Sequence, residues 1–447
     1  MPSEFNFFQH WYPLSPIEDL DPTRPTTAKL LGLRVVIWKP KTSETYRVFL
    51  DECPHRLAPL SEGRIDEQTG QLMCSYHGWQ FDAEGHCTRI PQAENPQLIL
   101  QNKTLCAVAL PCRQENDLLW VWPDRHSVAL AATVPLPLSP QIDAAKGFVW
   151  SSYLRDLEYD WQTLIENLAD PSHVPFAHHG VQGNRKQGQP MPLKIVQSTP
   201  DLIEAKVQRD PPTTHTLKTT VFFKPPCHLE YIISFGSDRQ VGFVFYCIPV
   251  APGKCRLVGQ FPLNFAKTFH RFMPRWLDHI RTRNLVLEGD MILLHQQEHF
   301  FKQKQQKESW ETAYKLPTSA DRLVIEFRRW FDRYAGGKLP WEEVGLAEVE
   351  TAAICEERQF LLDRYRQHTQ HCHSCRTTLK RVQGLQRVLL TYVAVAVPTV
   401  AVMPDALRFK LGLPMMAVAL SSLGIYSWLK LWLEPKFYFV DYIHAEK

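Results

Sequence analysis

The sequence predicts an α+β chain in three parts. These are an N-terminal all-β domain, a larger antiparallel sheet with helices packed on it, and a C-terminal apolar helical hairpin. Three observations predict this. Short runs rich in β-branched and aromatic residues recur up to about residue 125: "RVVIW" (34–38), "YRVFL" (46–50) and "LLWVW" (118–122). They read as strands separated by turns. Longer strand-like runs follow from about 147 to 265, among them "TTVFFK", "LEYIISFG" and "VGFVFYCIPV", and helical periodicity dominates 267–370. That is the pattern of an α+β domain. Near the end come two uncharged apolar runs, sixteen residues (388–403) and nineteen residues (411–429). A membrane-spanning helix takes about 17–25 residues.

These elements divide the chain into 1–130, 131–370, a connector 371–387, an anchor 388–432 and a tail 433–447. The Pro-rich stretch "TVPLPLSPQ" (133–141) reads as a linker, and "EYDWQTLIENLAD" reads as a helix between the first two long strands. The polar "PDALRFK" (404–410) joins the two apolar runs as a hairpin. Lys380, Arg381 and Arg387 precede the hairpin, and Lys430 and Lys436 follow it. The positive-inside rule then keeps the folded domain on the cytosolic face of a membrane.

A net charge of +3 on 447 residues, with no basic stripe, argues against a nucleic-acid partner. Eleven cysteines, an odd number in a long chain, do not form a disulfide framework. They fit a reducing compartment. The start, "MPSEFNFFQHWYPLSPIEDLDP", has neither a basic n-region nor an apolar h-region. It reads as neither signal nor transit peptide, which fits a bacterial chain better than one imported into a plant organelle.

"CPHRLAPLSEGRIDEQTGQLMCSYHGW" carries two Cys–His pairs, Cys53/His55 and Cys74/His77, separated by eighteen residues. Two thiolates and two imidazoles suit zinc or a Rieske 2Fe–2S cluster. Zinc fingers place Cys with Cys and His with His. Here each knuckle holds one of each, as when two loops clasp a cluster whose one iron takes both Cys and the other both His. The flanks "PHR" and "YHGWQFD" resemble the Rieske domains of the Rieske non-haem iron oxygenases. By that resemblance Cys53 and Cys74 bind one iron, and His55 and His77 the other.

"ENLADPSHVPFAHHG" (166–180) holds Asn167, Asp170, His173 and His178. Two His five apart lie about 140° apart on a regular helix and share no face. Pro175 between them is expected to break the helix and aim both rings at one ion. The pattern resembles the mononuclear iron motif of the same oxygenases, in which two His and one carboxylate hold Fe(II) and leave positions for O2. The resemblance makes His173 and His178 the two His ligands. It makes Asp170, with Asn167 beside it, a catalytic candidate. Asp170 matches the acidic residue that bridges a Rieske His of a neighbouring subunit to an iron His, which implies a ring-shaped oligomer, a homotrimer. The third ligand is expected in "NLVLEGDMILLHQQEHF" (284–300), as Asp290 rather than Glu288 or Glu298.

"HTQHCHSCRTT" (368–378) contains Cys372-x-x-Cys375. Alone this could be a redox pair, half a zinc site or chance. His368, His371 and His373 crowd the same turn. The order of Rieske domain, iron domain, C-x2-C and apolar C-terminal segments resembles the pheophorbide a oxygenase family, which includes a plant cell-death suppressor and protochlorophyllide- and chlorophyllide-oxidising relatives. The resemblance implies a helix-grip-like second domain, one 2Fe–2S cluster and one mononuclear Fe(II). It also implies O2, a ferredoxin-type donor and a chlorophyll-derived tetrapyrrole as substrate. The membrane is expected to be a thylakoid or plasma membrane, and Cys372 and Cys375 are candidates for thiol control. Two alternatives stand beside it: a membrane-bound Rieske redox or sensor protein, and the same oxygenase chemistry on another aromatic substrate.

Overall fold

The computed structural model describes residues 5–208, 217–236, 238–305, 307–346 and 355–446. The chain divides into two compact units, residues 1–272 with 290–354, and residues 273–289 with 355–447.

The first unit opens with three small antiparallel sheets. Leu118–Val121 lies between Tyr12–Pro16 and Cys112–Glu115. The two-residue turn at Asn116 and Asp117, both with positive φ, sets that hairpin's register. A second sheet joins Thr26–Leu30, Leu33–Trp38, Arg47–Leu50 and Ala109–Leu110. A third joins Arg64–Ile65, Leu72–Met73, Gln80–Phe81 and Cys87–Arg89. Val36, Trp38, Phe49, Leu72 and Phe81 pack between these sheets, and Cys53 and Cys74 belong to the same core.

A seven-stranded antiparallel sheet follows. Its order is Ser152–Leu157, Lys254–Gln260, Arg239–Ala251, His228–Phe235, Leu217–Lys224, Ile203–Gln208 and Leu193–Ser198. The predicted helix appears as Trp161–Ala169 and buries Trp161, Leu164 and Ile165. The helix Arg322–Ala335 buries Leu323, Phe327, Trp330 and Phe331. Its Phe327 and Phe331 rings both pack 5.6 Å from Trp161. Thr318 and Asp321 form a capping box before it, and Gly336, in the left-handed region, ends it.

The Pro-rich stretch is not a free spacer. Ser139 and Gln141 within it are buried. Ser139 donates to Glu230 at 2.5 Å, and Gln141 donates to Gln240 at 3.3 Å. These two polar side chains pin the stretch to the sheet. The turn Leu31–Gly32 is fixed in the same way, donating to Pro249 and Val250 carbonyls at 2.7 and 3.0 Å.

One charged network lies inside this unit. Lys302 reaches Asp160 at 2.6 Å and Glu298 at 2.7 Å. Glu298 also accepts from the Asp160 amide and the Thr163 hydroxyl. Burial, reinforced by the Glu298 charge, pushes the Asp160 carboxyl up to about 7. Lys302→Met removes the cation these two buried carboxylates share. It is expected to cost about 3–5 kcal/mol, read as a lower denaturant midpoint.

The second unit carries the helix His373–Ala401 and a further helical run from Asp405 through Leu413–Trp428 to Leu433. The polar connection is shorter than the sequence suggests. Only residues 402–404 interrupt the helices, because Pro404 stands just before the next helix start, where its missing amide costs nothing. The connector 371–387 is helical from His373 onward. The Tyr392 hydroxyl donates to the Met415 carbonyl at 3.3 Å and ties the two helices together. At their head, Ile280, Leu379, Val382, Leu429 and Phe437 form an apolar core.

Candidate metal centres

The two Cys–His loops have matching backbones. In the first, Cys53 N donates to Ala58 O and Leu57 N donates to Cys53 O, both at 2.8 Å. In the second, Cys74 N donates to Trp79 O at 2.9 Å and Gly78 N donates to Cys74 O at 3.0 Å. The residue four beyond each Cys has positive φ, 58° at Leu57 and 71° at Gly78. Each loop thus turns back on its Cys and projects its His outward. Cys53 and Cys74 are buried, while His55 and His77 are half-buried. The two imidazoles face each other with centroids 4.5 Å apart, and Trp79 stacks on His55 at 4.6 Å.

Burial pushes the Cys53 thiol up to about 12, with the facing Cys74 adding to the shift. A thiol so far from ionisation becomes a thiolate only against a strongly bound cation. Desolvation, then the neighbouring His77 and Arg56 charges, hold His55 below its usual range, so the ring is neutral and able to ligate. Among the described residues, three groups have donor atoms within 4.8 Å of one another, and this set is not one of them. It is too wide for a single zinc and suits a two-iron cluster.

The second candidate centre begins where the helix Trp161–Ala169 ends. Asp170 Oδ1 accepts from the Ser172 amide at 2.8 Å and from its hydroxyl at 2.5 Å. This Asx turn starts a short helix, Val174–Ala177, with His173 at its N-cap and His178 at its C-cap. Pro175 does not break this helix, contrary to expectation. It occupies the first turn, where its missing N–H is no loss. The break falls earlier, at Asp170–Ser172, and the two His bracket the single turn. Their Nε2 atoms come within 3.1 Å. His173 Nδ1 bonds the Asp170 carbonyl, which turns Nε2 toward His178 as the nitrogen that could hold an ion.

Asp290, on the helix Asn284–Gln305, completes the group. Its carboxylate lies 3.4 Å from His178 Nε2 and 3.9 Å from His173 Nε2. Donors about 2.1 Å from an ion and at right angles to one another stand about 3 Å apart. Two imidazoles and a carboxylate on one face fit an octahedral ion with its remaining positions open.

The alternative carboxylates are engaged elsewhere. Both Glu288 oxygens are held by Arg364, at 2.5 and 2.6 Å. Glu298 belongs to the Lys302 network.

A family model described as Rieske [2Fe-2S] domain matches residues 10–110, and one described as Pheophorbide a oxygenase matches residues 223–308. The chloroplastic pheophorbide a oxygenase of Oryza sativa subsp. japonica is 38% identical over 466 residues, covering 99% of this chain and 86% of that protein. The chain belongs to the pheophorbide a oxygenase family. It is a Rieske-type oxygenase, an oxidoreductase. Flavonoid 8-hydroxylase 2 of Ocimum basilicum is also similar, 34% identical over 99% of this chain and 86% of that protein. Among solved structures, dicamba monooxygenase bound to dicamba superposes with a TM-score of 0.60 at 17% identity, over 74% of this chain and 98% of that one. The all-β domain followed by a helix-covered antiparallel sheet is therefore a shared fold.

In this member of the family, Asp170 meets His173 through its backbone carbonyl, while one oxygen of its carboxylate is occupied by Ser172. Asn167 is half-buried in the last turn of the preceding helix, and its carbonyl accepts from the Asp170 amide at 3.2 Å. Cys372 and Cys375 are fully buried, and they stand beside His368 and His279. His371 and His373 are not in that group. Sequence reasoning missed His279, which lies 89 residues before His368.

Proposed function

We propose that this protein oxygenates a chlorophyll-derived tetrapyrrole, using electrons from a ferredoxin-type donor, while held at a membrane by its C-terminal hairpin. The observation that carries the reading is the convergence of His173, His178 and Asp290 in the same chain as the two Cys–His loops. A 2Fe–2S cluster on Cys53, Cys74, His55 and His77 would supply one-electron transfer, and Fe(II) on the triad would supply O2 activation.

The chain's own residues prepare both sites. Burial of Cys53 and Cys74 keeps water from the sulfurs, while half-buried His55 and His77 would give a bound cluster its exposed edge. The Asp170 carbonyl fixes the tautomer and orientation of His173. The Asp170 carboxylate, beside Asn167 and next to the triad, is suited to meet His55 or His77 of a neighbouring subunit in a trimeric ring. His173, one-fifth exposed against 2% for His178, marks the side of the triad open to a substrate.

The exposed apolar residues of the hairpin support membrane attachment. Val388, Val395, Leu413, Leu420 and Leu431 are each at least 60% exposed. A soluble protein would bury such a run. Trp428 and Trp432 stack at 5.1 Å beside Lys436, the mix of aromatic and cationic side chains found at a bilayer interface. The full chain is expected to stay in the membrane fraction through a carbonate wash. Recovery in the supernatant contradicts the anchor.

The test of substrate is turnover by the full-length protein with ferredoxin, its reductase, O2 and pheophorbide a or chlorophyllide a. An oxygenated product that is absent under argon is expected. No oxygenated product from any tetrapyrrole sinks the substrate claim. A second reading, hydroxylation of a phenolic aromatic, is favoured by the 34% identity to a protein named as a flavonoid hydroxylase. A flavone in the same assay separates the two.

A further inference from the structure

We infer that His279, His368, Cys372 and Cys375 form a closed tetrahedral zinc site at the head of the helical hairpin. All four side chains are buried, at 0–1% exposure. Their ligand atoms lie within 4.8 Å of one another. His368 Nε2 and His279 Nδ1 are 3.1 Å apart. Each sulfur is 3.6 Å from His279 Nδ1, and Cys375 Sγ is 3.4 Å from His368 Nε2.

These separations are those of four ligands around one ion. Zinc bonds of about 2.0–2.1 Å to nitrogen and about 2.3 Å to sulfur, at tetrahedral angles, require about 3.3 Å between nitrogens and about 3.6 Å from nitrogen to sulfur. Hydrogen bonding alone does not explain the cluster. An imidazole nitrogen has either one lone pair or one N–H, yet His279 Nδ1 has three close neighbours. A central cation takes one lone pair from each of the four.

The donor set selects the metal. Two thiolates and two imidazoles in tetrahedral array, with every position filled by protein, make a structural zinc site rather than a catalytic one.

The backbone carries the donors in two steps. His279 opens the π-helical turn His279–Arg283, and His368 sits in the π-helical turn Tyr365–Thr369. Cys372 is the N-cap and Cys375 lies in the first turn of His373–Ala401. Such widened turns re-aim side chains and occur often at functional sites. The ion would tie residues 273–289 to the start of the long helix, where a redox pair would join only its own two neighbours.

The test uses the full-length protein, made in zinc-supplied medium and purified without chelator under argon. One zinc per chain is expected. Zinc-edge X-ray absorption should show two sulfurs at about 2.3 Å and two nitrogens at about 2.0–2.1 Å. The Cys372→Ser, Cys375→Ser double variant should lose this zinc and keep the electron paramagnetic resonance signal of the Rieske cluster. The wild-type spectrum stands even where that variant fails to fold. Zinc without sulfur ligands marks mis-loading of the His173/His178/Asp290 group and overturns the proposal. So does absence of zinc, a fourth iron in its place, or a Cys372–Cys375 disulfide in the protein as isolated.

Discussion

Asp290→Asn is expected to lower oxygenase turnover by at least about a hundredfold while leaving the reduced Rieske signal at wild-type intensity. The substitution keeps the side chain's volume and removes its charge. Asp290 is 3% exposed and faces two imidazole nitrogens at 3.4 and 3.9 Å. A neutral amide there cannot balance a divalent ion, so iron per chain should fall by about one in the same preparation. Glu288 cannot take over. Two positions away it points to nearly the opposite side of the helix, and both its oxygens belong to Arg364. Turnover within tenfold of wild type, with iron unchanged, would remove Asp290 from the centre.

The second large effect concerns that Arg364–Glu288 pair. Both side chains are 0% exposed. The guanidinium is bidentate to the carboxylate and also donates to the Lys436 carbonyl at 2.8 Å. Arg364→Leu takes the bidentate cation away from a carboxylate held among buried groups. The cost is about 3–5 kcal/mol, measured as a shift in denaturant midpoint in detergent solution. Adding Glu288→Leu removes the stranded carboxylate and should recover part of the loss. If the single variant unfolds with the wild type, this buried pair does not hold the second unit together.

The Cys–His loops were legible because all four donors lie in one short stretch and each knuckle closes locally, through the backbone bonds at Leu57 and Gly78. His173 and His178 were legible for the same reason, although the role given to Pro175 was not. A proline between two ligands reads as a breaker in sequence, but in the first turn of a short helix it costs no hydrogen bond. Asp290 lies 112 residues beyond His178, and only the local likeness of its segment to a known family pointed to it. His279 had no such signal. It is 93 and 96 residues from the two cysteines, and the π-helical turn that aims it has no composition of its own. The one available hint was arithmetic. A buried C-x2-C beside one His lacks a fourth donor, and that donor must come from elsewhere in the chain. The Pro-rich stretch 133–141 was misread because its composition reports an extended backbone and says nothing of what covers it.

The most direct test of the central claim is a single turnover. Full-length protein is reduced chemically, freed of reductant, and mixed with pheophorbide a under oxygen-18 gas with no ferredoxin present. The expected result is labelled, oxygenated product in proportion to Rieske cluster oxidised. Oxidation of the cluster with no labelled product, from this or any other tetrapyrrole tried, would contradict the reading that its electrons serve oxygenation of that substrate class.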